Sequence, residues 1–430
     1  MTVTRRHVAL IGLSLFICGC EDDVEQPDVE PIAGPPPIQL VMVAGQSNAG
    51  MGGHDSTRET RQLFPNVRQI ANGAKAGLGW LPYSQQDFVA LEAAYDGASE
   101  GGQYIATMAG FALGKDGAEY IVRTDWAGGR PIEYFVEGSI NFRNTLQAVR
   151  SAKLLAGERQ VVCPWYVWIQ GESGPDGREN YAEQLRKYIA SIVPAVASEL
   201  GQTVGPTFVI VQTNSGDMRG TIDSKPGDIV GLAQWDVAQT TQGAILAGPM
   251  YQAPIILDIN DNIHANSIGR MVIGEMLAAV KAAGPRWKPL QPIAAQLVDD
   301  TIFVRFQVPA GPLAWDTTWI APTQNFGFAY GDDDNSAVIS EVSIVSRDRV
   351  RIVLSNIPTG DNKVIRYAQE DFDHQLDGWS GARGQLISPT QRVSLYWSLG
   401  HPVPRTINHY SIKFEIPVPT RFRTDPSRPG

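Results

Sequence analysis

Between residues 38 and 284, short apolar runs alternate with segments whose apolar positions recur three and four apart. A brief run that is apolar throughout and stops at a glycine reads as a buried strand. The three-and-four spacing reads as a helix that covers one face. These rules predict strands over 38–44, 119–124, 161–169, 208–212 and 255–259, and helices over 103–113, 140–155, 180–200, 229–239 and 266–283. Tyr181, Leu185, Tyr188 and Ile192 mark the buried stripe of the third helix, with Pro194 placed to kink or end it. Repeated strand–helix alternation predicts a parallel sheet with helices on both faces. The long stretch 52–102 is glycine-rich and irregular. Past Pro285 the period changes to two: Ile302, Val304, Phe306 and Val308 recur at alternate positions, as do Val350, Ile352 and Leu354. With further β-like runs over 337–345 and 363–367, this half predicts an antiparallel β-sandwich. Asp332-Asp333-Asp334-Asn335 reads as a solvated turn rather than a calcium loop, because no glutamate follows at the required spacing.

The chain begins differently. Arg5 and Arg6 precede an apolar run, 8–17, that is too short to span a bilayer. It ends in Ile17-Cys18-Gly19-Cys20, which resembles a bacterial lipobox with cleavage before Cys20 and lipidation of its thiol. A plain secretory peptide is the alternative, and Thr4 to Leu10 resembles a twin-arginine signal only weakly. The expected organisation is a signal peptide over 1–19, an acidic proline-rich tether over 20–37, a catalytic-type α/β domain over 38–284, a β domain over 285–420 and a polar tail over 421–430. Such a chain would be exported and held to a membrane through Cys20, facing periplasm or cell surface.

Charge and cysteine content narrow the classes. The formal charge is −10, and loss of the two leader arginines takes it to −12. With no cluster of Lys and Arg to meet a phosphate backbone, a nucleic-acid partner is excluded. After processing only Cys163 remains, so no internal disulfide forms. No Cys/His spacing suits zinc, and neither metal nor organic cofactor is expected.

Four predicted strand ends carry the candidate chemistry: Gly45-Gln46-Ser47-Asn48, Ala127-Gly128-Gly129, Gln170-Gly171-Glu172 and the stretch Asp258 to His264. In a parallel sheet all four open on one edge, where reacting groups are presented. Asp261 lies three residues before His264, so its carboxylate can accept the Nδ1 proton and leave Nε2 for a hydroxyl. A serine needs such a base before it can attack. In this order the motifs resemble the SGNH hydrolase superfamily, in particular its sialate O-acetylesterase-like branch, which includes acetylxylan esterases. The match covers roughly 38–283; the β-rich half carries no comparable signature.

The resemblance implies a three-layer α/β/α sandwich with a parallel, flavodoxin-like sheet. It makes Ser47 the nucleophile, His264 the base and then acid, and Asp261 the residue that orients His264. Asp258 remains the rival for that last role, and Asp261 could instead cap the following helix. The oxyanion would be held by the backbone N–H of Ser47, that of Gly128 and the side-chain amide of Gln170, where the namesake pattern has asparagine. Gly129 competes with Gly128 as donor, and Arg130 stands where the branch often has threonine. Gln46, Asn48, Gly129 and Glu172 play supporting parts, Asn48 tying the nucleophile turn to a neighbouring strand and Glu172 fixing the Gln170 loop. The implied substrate is an O-acetylated carbohydrate, a polysaccharide or a sialoside, with Trp80, Tyr83, Trp126, Tyr134 and Phe135 either rimming the cleft or packing the core. The alternatives are a non-catalytic cell-surface carbohydrate-binding protein and a lipase or thioesterase of the same superfamily.

Overall fold

The computed structural model describes residues 34–50, 59, 61–70, 82, 90–94, 105–173, 177–213, 229–256, 264–369, 379 and 382–419. The leader, Cys20, most of the tether, the tail, His54, His374, Trp80 and Tyr83 lie outside them. So do Asp258 and Asp261. From Pro36 onward, the described residues form one compact unit.

Its first part is laid out by β1 (Ile38–Gly45), the short α1 (Ser47–Gly50), β2 (Val67–Ile70), β3 (Leu91–Ala93), α2 (Ile105–Gly114), β4 (Tyr120–Trp126) and α3 (Ile140–Leu155). Then come β5 (Val161–Val162), β6 (Trp165–Ile169), α4 (Arg178–Leu200), β7 (Thr207–Gln212), α5 (Ile229–Thr240), β8 (Ala244–Pro249) and α6 (Ser267–Ala283). The sheet order is β3-β2-β4-β1-β6-β7-β8, with β5 paired to β1. All pairs are parallel except β2–β3, so the sheet is mixed where the sequence predicts a parallel one. The antiparallel edge comes from the irregular stretch 52–102, whose strands are too short to show a period. The predicted run 161–169 is split at Cys163-Pro164, since proline cannot donate to a ladder.

One predicted strand is corrected. The strand beside β7 is β8, over Ala244–Pro249, and not the run 255–259. The described part of that run contributes only an isolated antiparallel bridge, Ile255 to Ala265. His264 therefore arrives on the loop that leads into α6 rather than at the end of a sheet strand.

The sheet separates two apolar cores. Met42, Ala44, Tyr166 and Trp168 pack towards α3, α4 and α5. Val41, Val43, Val122, Val167 and Ile169 pack towards α2 and α6. On the first face a buried pair sits among apolar neighbours, with Arg123 Nε donating to Asp125 Oδ1 at 3.0 Å. Burial pushes the Asp125 carboxyl up, opposed by the Arg123 charge and by hydrogen bonds from Arg123 and Thr145.

The second part contains β9 (Gln291–Val298), β10 (Thr301–Gln307), β11 (Ala314–Trp315), β12 (Phe328–Gly331), β13 (Ile339–Ser346), β14 (Arg349–Leu354), β15 (Val364–Tyr367), β16 (Leu386–Ser388), the short α7 (Leu395–Ser398), β17 (His409–Tyr410) and β18 (Phe414–Pro417). They form three antiparallel sheets, ordered β13-β14-β10-β9, β11-β16-β17 and β12-β15-β18. In the Asp332 turn, the carboxylate accepts hydrogen bonds from Tyr330 and Ser336. The two parts share their interior. Gln212 donates to Lys413 O at 3.0 Å and accepts from Lys413 N at 2.7 Å, and Trp235 packs on Phe414. Tyr396 donates to Met108 O. Among the described residues no helix is long and apolar enough to cross a membrane.

Candidate active site

Register brings three strand ends abreast. Gly45 is paired on one side with Trp126 of β4 and on the other with Ile169 of β6. The residues that follow, Gln46-Ser47, Ala127-Gly128 and Gln170-Gly171, therefore leave the sheet side by side. β4 lies on one side of β1 and β6 on the other, so the chain's progression reverses here, and crevices open at such points. Gly45 has φ of +144°, and a Cβ there would lie 1.8 Å from Ile169 O. Only glycine permits this approach, and it is what starts the turn that carries Ser47.

The central observation is a contact: Ser47 Oγ lies 2.7 Å from His264 Nε2. The residues are 217 positions apart and meet at the first turn of α1. Ser47 is only 6% exposed. Asn48 positions the two partners by bonding in two directions. Its Nδ2 donates to Glu172 Oε1 at 2.7 Å, and its Oδ1 accepts from Ala265 N at 2.9 Å. The residue after the serine is thus bonded to the backbone of the residue after the histidine.

The Gln170 loop is tied to the nucleophile turn at two places. Gln46 Oε1 accepts from Gly171 N and Ser173 N, both at 3.1 Å. Glu172 Oε1 accepts from Asn48. Its Oε2 is buried without a partner among the described residues.

Gln170 is fully buried. Tyr181 donates to its Oε1 at 2.8 Å, and Gln234 donates to its backbone carbonyl at 2.7 Å. Its Nε2 faces Arg130 O at 3.3 Å and Ser173 O at 3.4 Å, both long for a hydrogen bond. Sequence reasoning missed Tyr181 and Gln234 as parts of this arrangement. Tyr181 shows only as a buried helix position, and nothing local links Gln234 to Gln170.

Gly128 and Gly129 follow β4 directly. Gly129 has φ of +65°, and a Cβ on Gly128 would press on Trp126 at 3.1 Å. Of the described aromatics expected near the cleft, Trp126 and Phe135 are core residues. Trp126 fills the space beside Gly50, and Phe135 packs edge-on against Trp168. Tyr134 alone is exposed, at 48%, with the Arg130 guanidinium 4.7 Å from its ring centroid. Cys163 is buried and free, and burial pushes its thiol up to about 12. Among the described residues no group of three His, Cys, Asp or Glu side chains is placed to hold a metal ion.

Chemically, a hydroxyl in contact with an imidazole, beside loops that supply N–H donors, can carry out acyl transfer. No family model matches the chain, and no curated relative matches it. Its fold is similar to that of a carbohydrate acetylesterase from Xanthomonas citri, with 16% identity and a TM-score of 0.56 over 88% of this chain and 80% of that one. A protein from Arabidopsis thaliana is similar at 19% identity and a TM-score of 0.41, over 58% of this chain and 99% of that one. A carbohydrate acetylesterase from Sinorhizobium meliloti is similar at 14% identity and a TM-score of 0.33, over 57% and 99%.

Proposed function

We propose that the protein is a serine esterase that removes O-acetyl groups from carbohydrate. What carries this is the 2.7 Å contact between Ser47 and His264. The strand order from β4 through β1, β6 and β7 to β8 is read as a flavodoxin-like arrangement, with the SGNH-type domain over 38–284 and a β-sandwich after it. The solved fold neighbour from Xanthomonas citri, itself a carbohydrate acetylesterase, supports the substrate class.

Ser47 Oγ attacks the ester carbonyl carbon while His264 Nε2 takes its proton. Asp261, three residues upstream, orients the ring and favours the imidazolium that forms. The oxyanion is held by the N–H groups of Ser47 and of Gly128 or Gly129, and by the Gln170 amide. The two carbonyl contacts of that amide are long, so a developing negative charge competes well for its hydrogens, charge-assisted bonds being roughly twice as strong as neutral ones. The tetrahedral intermediate collapses, and the leaving sugar hydroxyl takes the proton from His264. Water, activated by the same imidazole, then releases acetate and restores Ser47. In the cell the enzyme would be held to a membrane by a lipid on Cys20.

Ser47→Ala should lower turnover of p-nitrophenyl acetate by roughly 10⁴-fold or more, as loss of a nucleophile does. Its melting temperature should barely change. Acetate release from acetylated xylan and from O-acetyl sialosides identifies the sugar, and longer acyl esters test for a lipase or thioesterase. Undiminished turnover in the alanine variant would exclude the mechanism.

A further inference from the structure

The far end of α6 carries a feature the esterase reaction does not use. Ala279 and Ala283, the segment just after the helix, and residues from β10 and β17 line a cavity of about 530 Å³. That volume falls within the usual range for small-molecule sites, roughly 300–1,000 Å³. Arg286, Lys288 and Arg392 all border it, and none of its lining residues is acidic.

None of these three cations takes part in an ion pair among the described residues. Glu275 is the carboxylate acting electrostatically on Arg392; it accepts hydrogen bonds from Ser394 and Leu395, forms no ion pair with Arg392, and sets one negative charge against three positive ones. The C-terminal end of α6 is equivalent to about half a negative charge, too little to balance three positive ones. Burial and the Arg392 charge hold the His409 imidazole down at about 4, so it joins the wall as a neutral ring beside Trp287. The rest of the chain has the opposite sign, with a formal charge of −10. Three unpaired cations around a cavity in an acidic protein are the electrostatic outline of an anion site.

We propose that this cavity is a second binding site, for the anionic group of a carboxylate- or phosphate-bearing saccharide. The cations meet the anion, and the Gln307 and Gln391 amides supply neutral donors and acceptors for hydroxyls in a space larger than a bare oxyanion fills. α6 begins three residues beyond His264, and Ala279 and Ala283 in the cavity wall lie about 18–24 Å along it, so the cavity is at the opposite end of the helix from the Ser47 contact. It is not a subsite of the ester cleft, and its occupation does not depend on Ser47.

The test is calorimetry on the full chain with glucuronate, glucose 6-phosphate, inorganic phosphate and neutral glucose. Glucuronate or glucose 6-phosphate should bind and weaken as salt is raised, with glucose silent; whichever of the two binds more tightly identifies the anion. Arg392→Gln should lower affinity roughly tenfold, the worth of a charged hydrogen bond. The double variant Arg286→Gln, Lys288→Gln, in exposed positions that do not endanger folding, should do at least as much. Both should turn over p-nitrophenyl acetate as the parent does, and Ser47→Ala should bind the sugars normally. Equal binding of glucose and glucuronate, binding of inorganic phosphate without either acidic sugar, or full affinity in both variants would overturn the proposal.

Discussion

The two ends of α6 hold polar groups in opposite conditions. At its start, Ser47, His264, Asn48 and Gln46 are bonded to one another or to neighbouring backbone. At its far end, Arg286, Lys288 and Arg392 border a cavity with no acidic residue in its lining, and Glu275 is the one carboxylate acting on Arg392. A reacting centre must hold its atoms within a fraction of an ångström, so the bonds that fix its reacting groups are closed before substrate arrives, while Glu172 Oε2 beside them has no partner among the described residues. A site for an exchangeable ion works the other way, because a pre-formed ion pair would have to break before the ligand could bind. Satisfied polarity thus marks the candidate chemistry, and unsatisfied charge marks candidate binding.

This contrast predicts where turnover is sensitive. After Ser47, the largest effect is expected at Gln170. Gln170→Ala removes one oxyanion donor and should lower kcat by roughly 10²–10³-fold, with little change in KM. Tyr181→Phe, which frees the Oε1 that Tyr181 holds at 2.8 Å, should cost less. If Gln170→Ala raised KM alone, the amide would be a substrate contact and the oxyanion assignment would fall.

A smaller loss is expected at Asn48, which never meets the substrate in this mechanism. Asn48→Ala deletes the bond to Glu172 and the bond to the His264 loop together. The imidazole then loses its fixed place, and kcat should drop roughly 10–100-fold at constant KM. Glu172→Gln keeps an acceptor oxygen for Asn48 and should be milder. Equal losses in stability and activity for the two variants would show that Asn48 merely holds the fold.

The same contrast governs what could be read from the sequence. The Ser47 edge was legible because each of its pieces is local. Gly45 must be glycine to pass Ile169, and Gln46, Ser47 and Asn48 follow it without a gap. Their meeting with His264 was expected from motif order, although the strand expected to deliver it was not the right one. Ile255, Ile256, Leu257 and Ile259 make a denser apolar run than β8, where Gly248 and Pro249 look like a turn. β8 borders the sheet, and an edge strand tolerates proline because one row of its N–H groups has no partner. The hold of Tyr181 and Gln234 on Gln170 could not be read at all, since it depends on how α4 and α5 pack over β6. The cation cavity was equally hidden. Its parts come from segments near residues 286, 307, 391 and 409, and no spacing within any of them suggests a site.

The smallest expected effect is on stability and tests the far end of α6 without any ligand. His409 is held at about 4 against an ordinary value of 6.5, chiefly by burial and then by Arg392. A base depressed on folding binds fewer protons in the native state than in the unfolded one between those values. Stability should therefore be intact above about pH 6.5 and decline as the pH falls towards about 4, where the loss is complete. The full shift sets a ceiling of about 3 kcal/mol, which water in the open cavity and salt reduce. Asp125 and Glu275, both raised by burial, change stability in the opposite direction over an overlapping range, so the raw pH profile mixes signs. The difference between the parent and His409→Gln isolates the imidazole. The parent's melting temperature should fall by a few degrees relative to the variant between pH 6.5 and 4.5. A difference that stays flat across that interval would mean the ring is hydrated and the cavity wall less enclosed than its neighbours make it.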